Sequence, residues 1–149
     1  MRKDSPLIKA KKDLWKIFSM YIRMRDCFLA TGTLDNGFCC TCGRPKTYKT
    51  LQAGHFIPGR EDSILFEPTC VHAQCYRCNV KRSGEWVKYY RFMQKKYGDA
   101  HIFYLMELSE QTRVIDEKWI ASTAIYYLAK IDELRKEYGN IRRRAEATA

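Results

Sequence analysis

The stretch of sequence that decides the fold runs from Cys39 to Asn79 and reads CCTCGRPKTYKTLQAGHFIPGREDSILFEPTCVHAQCYRCN. A cysteine pair of the form C-x2-C stands near each end of it. Two such pairs supply four thiolates, which is the ligand set of a closed tetrahedral zinc site. We therefore predict a structural Zn²⁺ ion held by Cys39, Cys42, Cys75 and Cys78.

The residues beside these pairs fit a pair of metal-binding knuckles. Cys40 is an alternative to Cys39, but it leaves only one residue before Cys42, so we prefer Cys39. A tight knuckle often forces the next residue towards a positive φ. Gly43 accepts that conformation freely and Asn79 tolerates it.

The interval between the two pairs holds the candidate catalytic residue. Thirty-two residues separate Cys42 from Cys75, more than the roughly 15–20 of a plain zinc ribbon. His55 lies within this interval, and a neutral histidine there can act as general base towards water that attacks phosphorus. A divalent cation would stabilise the developing charge, and Asn79 offers the oxygen ligand that such a cation prefers. The alternative is that His55 is a packed histidine or one that competes for zinc.

Hydrophobic periodicity predicts helices on both sides of this stretch. Apolar residues at helical spacing indicate an N-terminal helix from Pro6 to Phe28. Short strands are expected near Leu51–Phe56 and Ile64–Phe66. A further helix is expected after an N-cap at Ser83, ending at Gly98. The pattern defines an α+β fold, with a small zinc module embedded in helices.

The C-terminal third is predicted to be helical. Asp99 and Asp116 are expected to cap two helices, the second of which runs to Gly139. Apolar residues between Ile120 and Tyr138 recur at spacings of four and three, as in a short heptad seam. This seam either packs on the N-terminal helix or forms a dimer contact. We expect one domain over residues 1–149, with the helix at 1–30, the zinc module at 38–83 and the helical part at 84–149.

Composition points to a nucleic-acid partner and to a reducing compartment. Twenty-seven Lys and Arg against 17 Asp and Glu give a net charge of +10, which suits the phosphates of a polyanion. No apolar stretch approaches the roughly 18 residues that span a bilayer, and no secretory signal begins the chain. We therefore expect a cytoplasmic protein with no membrane association. In that compartment Cys27 and Cys70 are interpreted as buried thiols rather than disulfides.

Four motifs in this order carry a family resemblance. C-x2-C, GHFIP and C-x2-CN resemble the HNH, or His-Me finger, nucleases with a treble-clef zinc site. The wording CGRP, QAGHFIPGR, SILF and VHAQCYRCN resembles more narrowly the NinG (Rap) recombination proteins of lambdoid phages, which are described as endonucleases acting on branched DNA junctions. The close match covers roughly Lys12 to Tyr97. It implies a small ββα His-Me finger between flanking helices.

The resemblance also implies roles for individual residues. His55 matches the general base and Asn79 matches a ligand of the catalytic Mg²⁺ or Mn²⁺, while the four cysteines match the zinc ligands. Gly54 stands where many His-Me fingers place an Asp or His ligand, so other candidates for that role are Glu61, Asp62 and His72. Cys70 stands where the family usually has an Asn that braces the loop bearing the base. A thiol braces poorly because it is a weak donor and a weak acceptor.

The leading expectation is a metal-dependent, HNH-like DNA endonuclease that acts on branched DNA, such as a Holliday junction or D-loop, in phage recombination. DNA contacts are expected at Arg60, Lys81 and Arg82, through phosphates and shape rather than base edges. One His55 site cuts one strand, so a homodimer is expected for paired cuts. The alternatives are a non-catalytic, zinc-stabilised nucleic-acid-binding module and a protein-interaction adaptor that uses the Ile120–Tyr138 seam.

Overall fold

The computed structural model describes residues 5–59 and 61–149. Four helices frame two small antiparallel sheets: α1 (Pro6–Thr31), β1 (Asn36–Phe38), β2 (Pro45–Thr47), β3 (Leu51–His55), β4 (Val71–Cys75), α2 (Trp86–Tyr97), α3 (Asp99–Glu110) and α4 (Glu117–Thr148). Strand β1 pairs with β2 and strand β3 pairs with β4. This mixed architecture confirms the predicted α+β class.

The N-terminal helix forms where the sequence predicted it and runs three residues further. The Ser5 hydroxyl accepts a hydrogen bond from the Ile8 amide at 3.4 Å, and Pro6 occupies the first turn, where its missing N–H costs nothing. Gly32, with φ of +69°, ends the helix. Its buried face carries Leu14, Phe18 and Ile22 into the main core.

The β3–β4 hairpin contains one predicted strand and one that the sequence misplaced. Strand β3 coincides with the expected strand at Leu51–Phe56, but its partner is Val71–Cys75 rather than Ile64–Phe66. The Ile64–Phe66 run is buried in a series of turns instead, where the amides of Ile64 and Leu65 donate to the carbonyl of Glu61. A short apolar run indicates burial but does not by itself distinguish a strand from a buried turn.

The outer edge of β4 is closed by side chains of α1. The Arg25 guanidinium donates to the carbonyls of Pro68 and Val71, at 2.7 and 2.8 Å. The Asp26 carboxylate accepts from the Ala73 amide at 2.7 Å, and the Cys40 amide donates to the Ala73 carbonyl at 2.9 Å. These bonds satisfy backbone groups that a two-stranded hairpin would otherwise leave unpaired, so that α1 and β4 are held in register.

The C-terminal part is helical as predicted, but three expected helix ends differ, at Ser83, Asp99 and Gly139. Asp99 is the first residue of α3, whose N-cap is Gly98, and its side chain makes no capping bond. Ser83 is not the N-cap of α2, because Ser83 and Glu85 both have positive φ, at 49° and 52°, and the helix begins only at Trp86. Gly98 ends α2 as expected. The Asp116 carboxylate caps α4 by accepting from the Trp119 amide at 2.7 Å. Helix α4 continues past Gly139 to Thr148.

The Ile120–Tyr138 seam packs inside the chain. Ile120, Tyr127 and Ile131 are buried, and the Tyr127 ring contacts Phe18 of α1 edge-on with 5.0 Å between centroids. The Tyr138 hydroxyl donates to Asp35 at 2.9 Å. The seam therefore packs on α1, which is the first of the two alternatives that the sequence left open.

No helix in the described part of the chain is long and apolar enough to cross a bilayer.

Replacing Phe18 tests the packing of α1 against α4. Phe18 is fully buried and contacts Phe66 and Tyr127. Phe18→Ala should lower the free energy of unfolding by about 3–5 kcal/mol, because the surrounding rings cannot close the cavity. Urea denaturation of the zinc-loaded protein measures this loss.

Ile125→Ala is the matched control on α4, since Ile125 is 69% exposed; it should change stability by less than about 0.5 kcal/mol. Equal effects of the two substitutions would contradict this packing.

Candidate metal centre and histidine cleft

The two cysteine pairs come together as the sequence predicted. The sulfur atoms of Cys39, Cys42, Cys75 and Cys78 all lie within 4.8 Å of one another. The first pair follows β1 in a knuckle that the Gly43 amide closes by donating to the Cys39 carbonyl at 2.9 Å, with φ of +68° at Gly43. The second pair spans the end of β4 and the π-helical turn Arg77–Lys81. Four thiolates in this arrangement could hold one structural zinc ion.

The electrostatics of the cluster favour a cation. Burial alone would raise the pKa of the Cys39 thiol, but hydrogen bonds from the Thr41 hydroxyl and backbone amides lower it to about 6. Burial raises the pKa of Cys78 to about 12 and also raises that of Cys42. In the metal-free protein only part of the cluster is therefore ionised at neutral pH. A bound divalent metal would displace the remaining protons.

The other three cysteines stay outside the cluster. Cys40 packs against the main core, where burial raises the pKa of its thiol, so the choice of Cys39 over Cys40 is confirmed. Cys27 and Cys70 are fully buried, as predicted. All seven cysteines are free thiols.

A cleft of about 540 Å³ opens beside the hairpin, and His55 lies in its wall. Strand β3 contributes Gln52 and His55, the π-helical turn contributes Asn79, and α1 contributes Trp15, Ser19 and Arg23. The three α1 residues recur at every fourth position and so share one face of the helix. No Asp or Glu is among the described residues that line this cleft.

The orientation of the His55 ring is set from two sides. Its Nε2 lies 3.0 Å from the carbonyl oxygen of Leu65. Because a carbonyl only accepts, Nε2 carries the hydrogen and Nδ1 carries the lone pair. The ring stacks on Trp15 with 5.0 Å between centroids and 15° between planes. These contacts select the tautomer in which Nδ1 is the basic nitrogen.

Asn79 lines the same cleft, but its backbone differs from the expectation. It lies within the π-helical turn and is not among the residues with positive φ, so the knuckle places no turn constraint on it. Its Nδ2 donates to Gln52 Oε1 at 2.9 Å, which turns Oδ1 the other way, towards Gly54. The side chain therefore presents an oxygen near the backbone of the residue that precedes His55.

Cys70 contacts the loop that follows His55. The Phe56 amide donates to the Cys70 carbonyl at 2.7 Å. Burial raises the pKa of the Cys70 thiol to about 11, although the amides of Ile57 and Phe56 partly offset this by hydrogen bonding to the sulfur. The main chain and a neutral thiol together brace the segment after the histidine.

The other candidate metal ligands lie elsewhere. His72 is fully buried on β4, where Nδ1 accepts from Arg25 at 3.1 Å and Nε2 faces the Thr69 carbonyl at 3.3 Å. Burial lowers the pKa of His72, although the Asp26 carboxylate, 3.3 Å from Nδ1, acts in the opposite direction, and the ring lies in the core rather than in the cleft. Asp62 pairs with Lys11 at 2.6 Å, and Glu61 and Asp62 both line a separate hollow beside α3. The structure therefore does not bring these three residues to the cleft.

The structure describes two of the three residues that were expected to contact DNA. Lys81 and Arg82 are exposed beside the knuckles, and Arg82 forms an ion pair with Glu85. Arg60 lies outside the described residues. Arg23, which sequence reasoning counted only as a polar position of the first helix, lines the cleft with its guanidinium over the Tyr48 ring. Only its spacing of eight residues from Trp15, with Ser19 midway, hinted at a shared helix face, and that spacing does not show what the face meets.

These features define a small α+β protein in which one hairpin carries a four-cysteine cluster at one end and a cleft histidine at the other. Comparison with protein families identifies its relatives: the model of the bacteriophage lambda NinG protein matches residues 2–137, so the chain belongs to the NinG family. No curated protein and no solved structure gave a significant match.

Removing one cysteine tests the metal centre. We expect about one zinc ion per chain, and Cys78→Ser should lose it and unfold the hairpin region, because binding to a closed site contributes directly to folding. Elemental analysis measures the metal, and near-ultraviolet circular dichroism reports the packing. Cys40→Ser is the matched control, since its thiol lies outside the cluster, and should retain zinc. A wild-type protein that folds fully without metal would contradict the assignment.

Proposed function

We propose that the protein is a metal-dependent DNA endonuclease of the HNH type. The observation that carries this proposal is the histidine cleft: the Nε2 contact fixes His55 as the tautomer with a basic Nδ1, and Asn79 and Arg23 line the same cleft. A histidine that served only packing would not need an open, polar cleft in front of it. Membership of the NinG family supports the same interpretation.

The cleft residues can carry out phosphodiester hydrolysis with a simple division of labour. His55 Nδ1 takes a proton from a water molecule while the water oxygen bonds to phosphorus and the bond to the leaving oxygen breaks. The Leu65 carbonyl stabilises the imidazolium through the Nε2 hydrogen. The leaving oxygen takes a proton from solvent. A Mg²⁺ or Mn²⁺ ion on Asn79 Oδ1 would supply charge stabilisation at the phosphate.

The charge of the cleft and its surroundings suits a phosphate backbone. Arg23 is positioned to contact a phosphate at the cleft, where no described carboxylate opposes it. A second group of basic residues surrounds the cysteine cluster: Arg44, Lys46, Arg77, Arg82 and Lys88. Arg23 and this second group of basic residues lie on turns and on several helix surfaces rather than along one recognition helix. We therefore infer that the protein binds DNA through phosphates and shape.

Branched DNA is the substrate that the family resemblance favours, in the context of phage recombination. Symmetrical resolution of a junction needs two strand cuts, and each chain has one His55. We infer a homodimer with two-fold symmetry. The partner contact must use a surface other than the Ile120–Tyr138 seam, since α1 already covers that seam.

A non-catalytic DNA-binding module is the second candidate, and Gly54 favours it. Gly54, immediately before the proposed base, has no side chain that could bind a metal ion. No described carboxylate in the cleft takes the place of such a ligand. In that case the cysteine cluster and basic surface would bind DNA without cutting it.

Replacing His55 separates the two candidates. His55→Ala should keep the zinc, the fold and DNA binding, but lower the cleavage rate by about 10²–10⁴-fold, because the general base is lost. Cleavage of a labelled four-way junction with and without Mg²⁺ measures the effect. His101→Ala is the control, since His101 contacts Thr69 and does not line the cleft. Absence of cleavage by the wild-type protein in Mg²⁺ and Mn²⁺ would leave only the binding module.

Replacing Arg23 tests the DNA path. Arg23→Ala should weaken DNA binding and reduce the slope of log affinity against log salt by about one, because one phosphate contact is lost. Fluorescence anisotropy at several salt concentrations measures this. Arg91→Ala removes the same charge from an exposed position on α2 and should leave the slope unchanged.

The same titrations, run with a four-way junction and a duplex of equal length, test the substrate. The junction should bind more tightly at fixed salt, and equal affinity would contradict the preference for branched DNA. Sedimentation of the free and bound protein tests the dimer. A monomer in both states would exclude paired cutting but not single-strand cleavage.

A further inference from the structure

The side chain of Gln74 is held in one orientation inside the hairpin. Gln74 is fully buried on β4, and its Nε2 donates to the Gly84 carbonyl at 2.9 Å and to the Thr41 hydroxyl at 3.3 Å. Because the Gly84 carbonyl can only accept, exchanging the amide nitrogen and oxygen would set two acceptors against each other. The amide oxygen therefore points away from Gly84, and the side chain has little freedom to turn.

That oxygen points at the backbone of Gly54. A Cβ atom built on Gly54 would lie 2.0 Å from Gln74 Oε1 and 2.9 Å from Asn79 Oδ1. The two oxygens thus converge on the space that a side chain at position 54 would occupy. Both come from amides whose NH₂ groups are engaged elsewhere, with Gly84 and with Gln52. Two acceptors that face one point attract a positive charge or a donor, and repel each other otherwise.

No described residue donates to this oxygen. Gln74 Oε1 is buried from solvent and has no hydrogen-bond partner among the described part of the chain. Buried polar atoms are nearly always paired, so an unpaired amide oxygen calls for an explanation, such as a bound ion or an ordered water.

We propose that Gln74 Oε1 and Asn79 Oδ1 together bind the catalytic divalent cation, with Gln74 replacing the ligand that a side chain at position 54 would supply. This inference rests on the nuclease function proposed above, and it identifies Gln74 as the second protein ligand of the catalytic cation. Amide oxygens suit a hard cation such as Mg²⁺ or Mn²⁺. Gly54 is then a requirement of the site, since any side chain there would occupy the position of the Gln74 oxygen.

The neutral charge of this pair has a functional consequence. Cation sites in phosphoryl-transfer enzymes usually combine carboxylates with substrate phosphates. With two amide oxygens, the free protein binds the cation weakly, and the DNA phosphate supplies the missing negative charge. Metal and DNA should therefore strengthen each other's binding in equal measure.

Direct Mn²⁺ binding to the zinc-loaded protein tests the ligand without reference to cleavage. In the wild-type protein labelled with ¹⁵N, substoichiometric Mn²⁺ should broaden the side-chain amide signals of Gln74 and Asn79 first. The signals of Gln94 and Gln111, both exposed, are the internal control. Equal broadening of all four, or persistence of the Gln74 signal, would overturn the proposal.

Substitutions at positions 74 and 54 give a second readout by electron paramagnetic resonance titration of Mn²⁺. Gln74→Ala should weaken binding by about tenfold or more, because one of the two ligand oxygens is lost. Gly54→Asp alone should clash with Gln74, whereas Gly54→Asp combined with Gln74→Ala should restore Mn²⁺ binding. Gln111→Ala should have no effect.

The outcomes distinguish this inference from the nuclease proposal. Wild-type Mn²⁺ affinity in a folded, zinc-loaded Gln74→Ala protein would overturn the role of Gln74 even if cleavage persists. Gln74-dependent Mn²⁺ binding without cleavage of any DNA would support the site and refute the nuclease. If Gln74→Ala loses its zinc, the broadening of the side-chain signals in the wild-type protein decides the question.

Discussion

The closure of the four cysteines into one cluster is the constraint on which the rest of the structure depends. It ties the knuckle after β1 to the end of β4, across the whole segment that carries His55. A two-stranded hairpin is only marginally stable by itself in water. Here β4 is held at its end by the cluster and along its outer edge by Arg25 and Asp26 of α1. The position of β3, and with it His55, follows from the position of β4.

The first helix has two functions that its sequence combines on different faces. One face packs Phe18 against Tyr127 and so covers the apolar seam of α4. Another face brings Trp15 and Arg23 to the cleft, where Trp15 stacks on His55. The helix therefore contributes to stability and also shapes the proposed catalytic site. This arrangement explains why the long C-terminal helix is needed although it contributes no residue to the cleft, since it holds the helix that does.

The hairpin has charged partners along its outer edge and neutral ones near His55. Arg25 and Asp26 contact the backbone of β4, whereas Cys70 braces the loop after His55 with its backbone and an un-ionised thiol. Near His55 the oxygens of Gln74 and Asn79 come from amides rather than carboxylates. A site built this way has little negative charge of its own, which reduces repulsion towards the phosphate backbone of DNA.

The sequence by itself determined the elements whose cause is local or chemical. The spacing of the cysteine pairs identified the cluster, because thiolates at C-x2-C spacing can bind one ion. Helical periodicity located α1, and Asp116 and Gly98 marked helix ends, because capping depends on neighbouring residues. The position of His55 between the pairs, together with the family motifs, singled it out as the functional histidine, and the structure places it in a cleft.

Tertiary structure alone decided which groups surround that histidine. The contacts of His55 and its strand come from distant or unremarkable positions in the chain: the strand partner of β3, the Leu65 carbonyl and the Arg23 side chain that lines the cleft. A backbone carbonyl has no sequence signature, and a buried glutamine looks like any other until its oxygen is seen to lack a partner. His72 shows the converse, because a histidine near the knuckles resembled a ligand until burial placed it in the core. Local patterns determine what a residue can do, but long-range packing determines which residues meet.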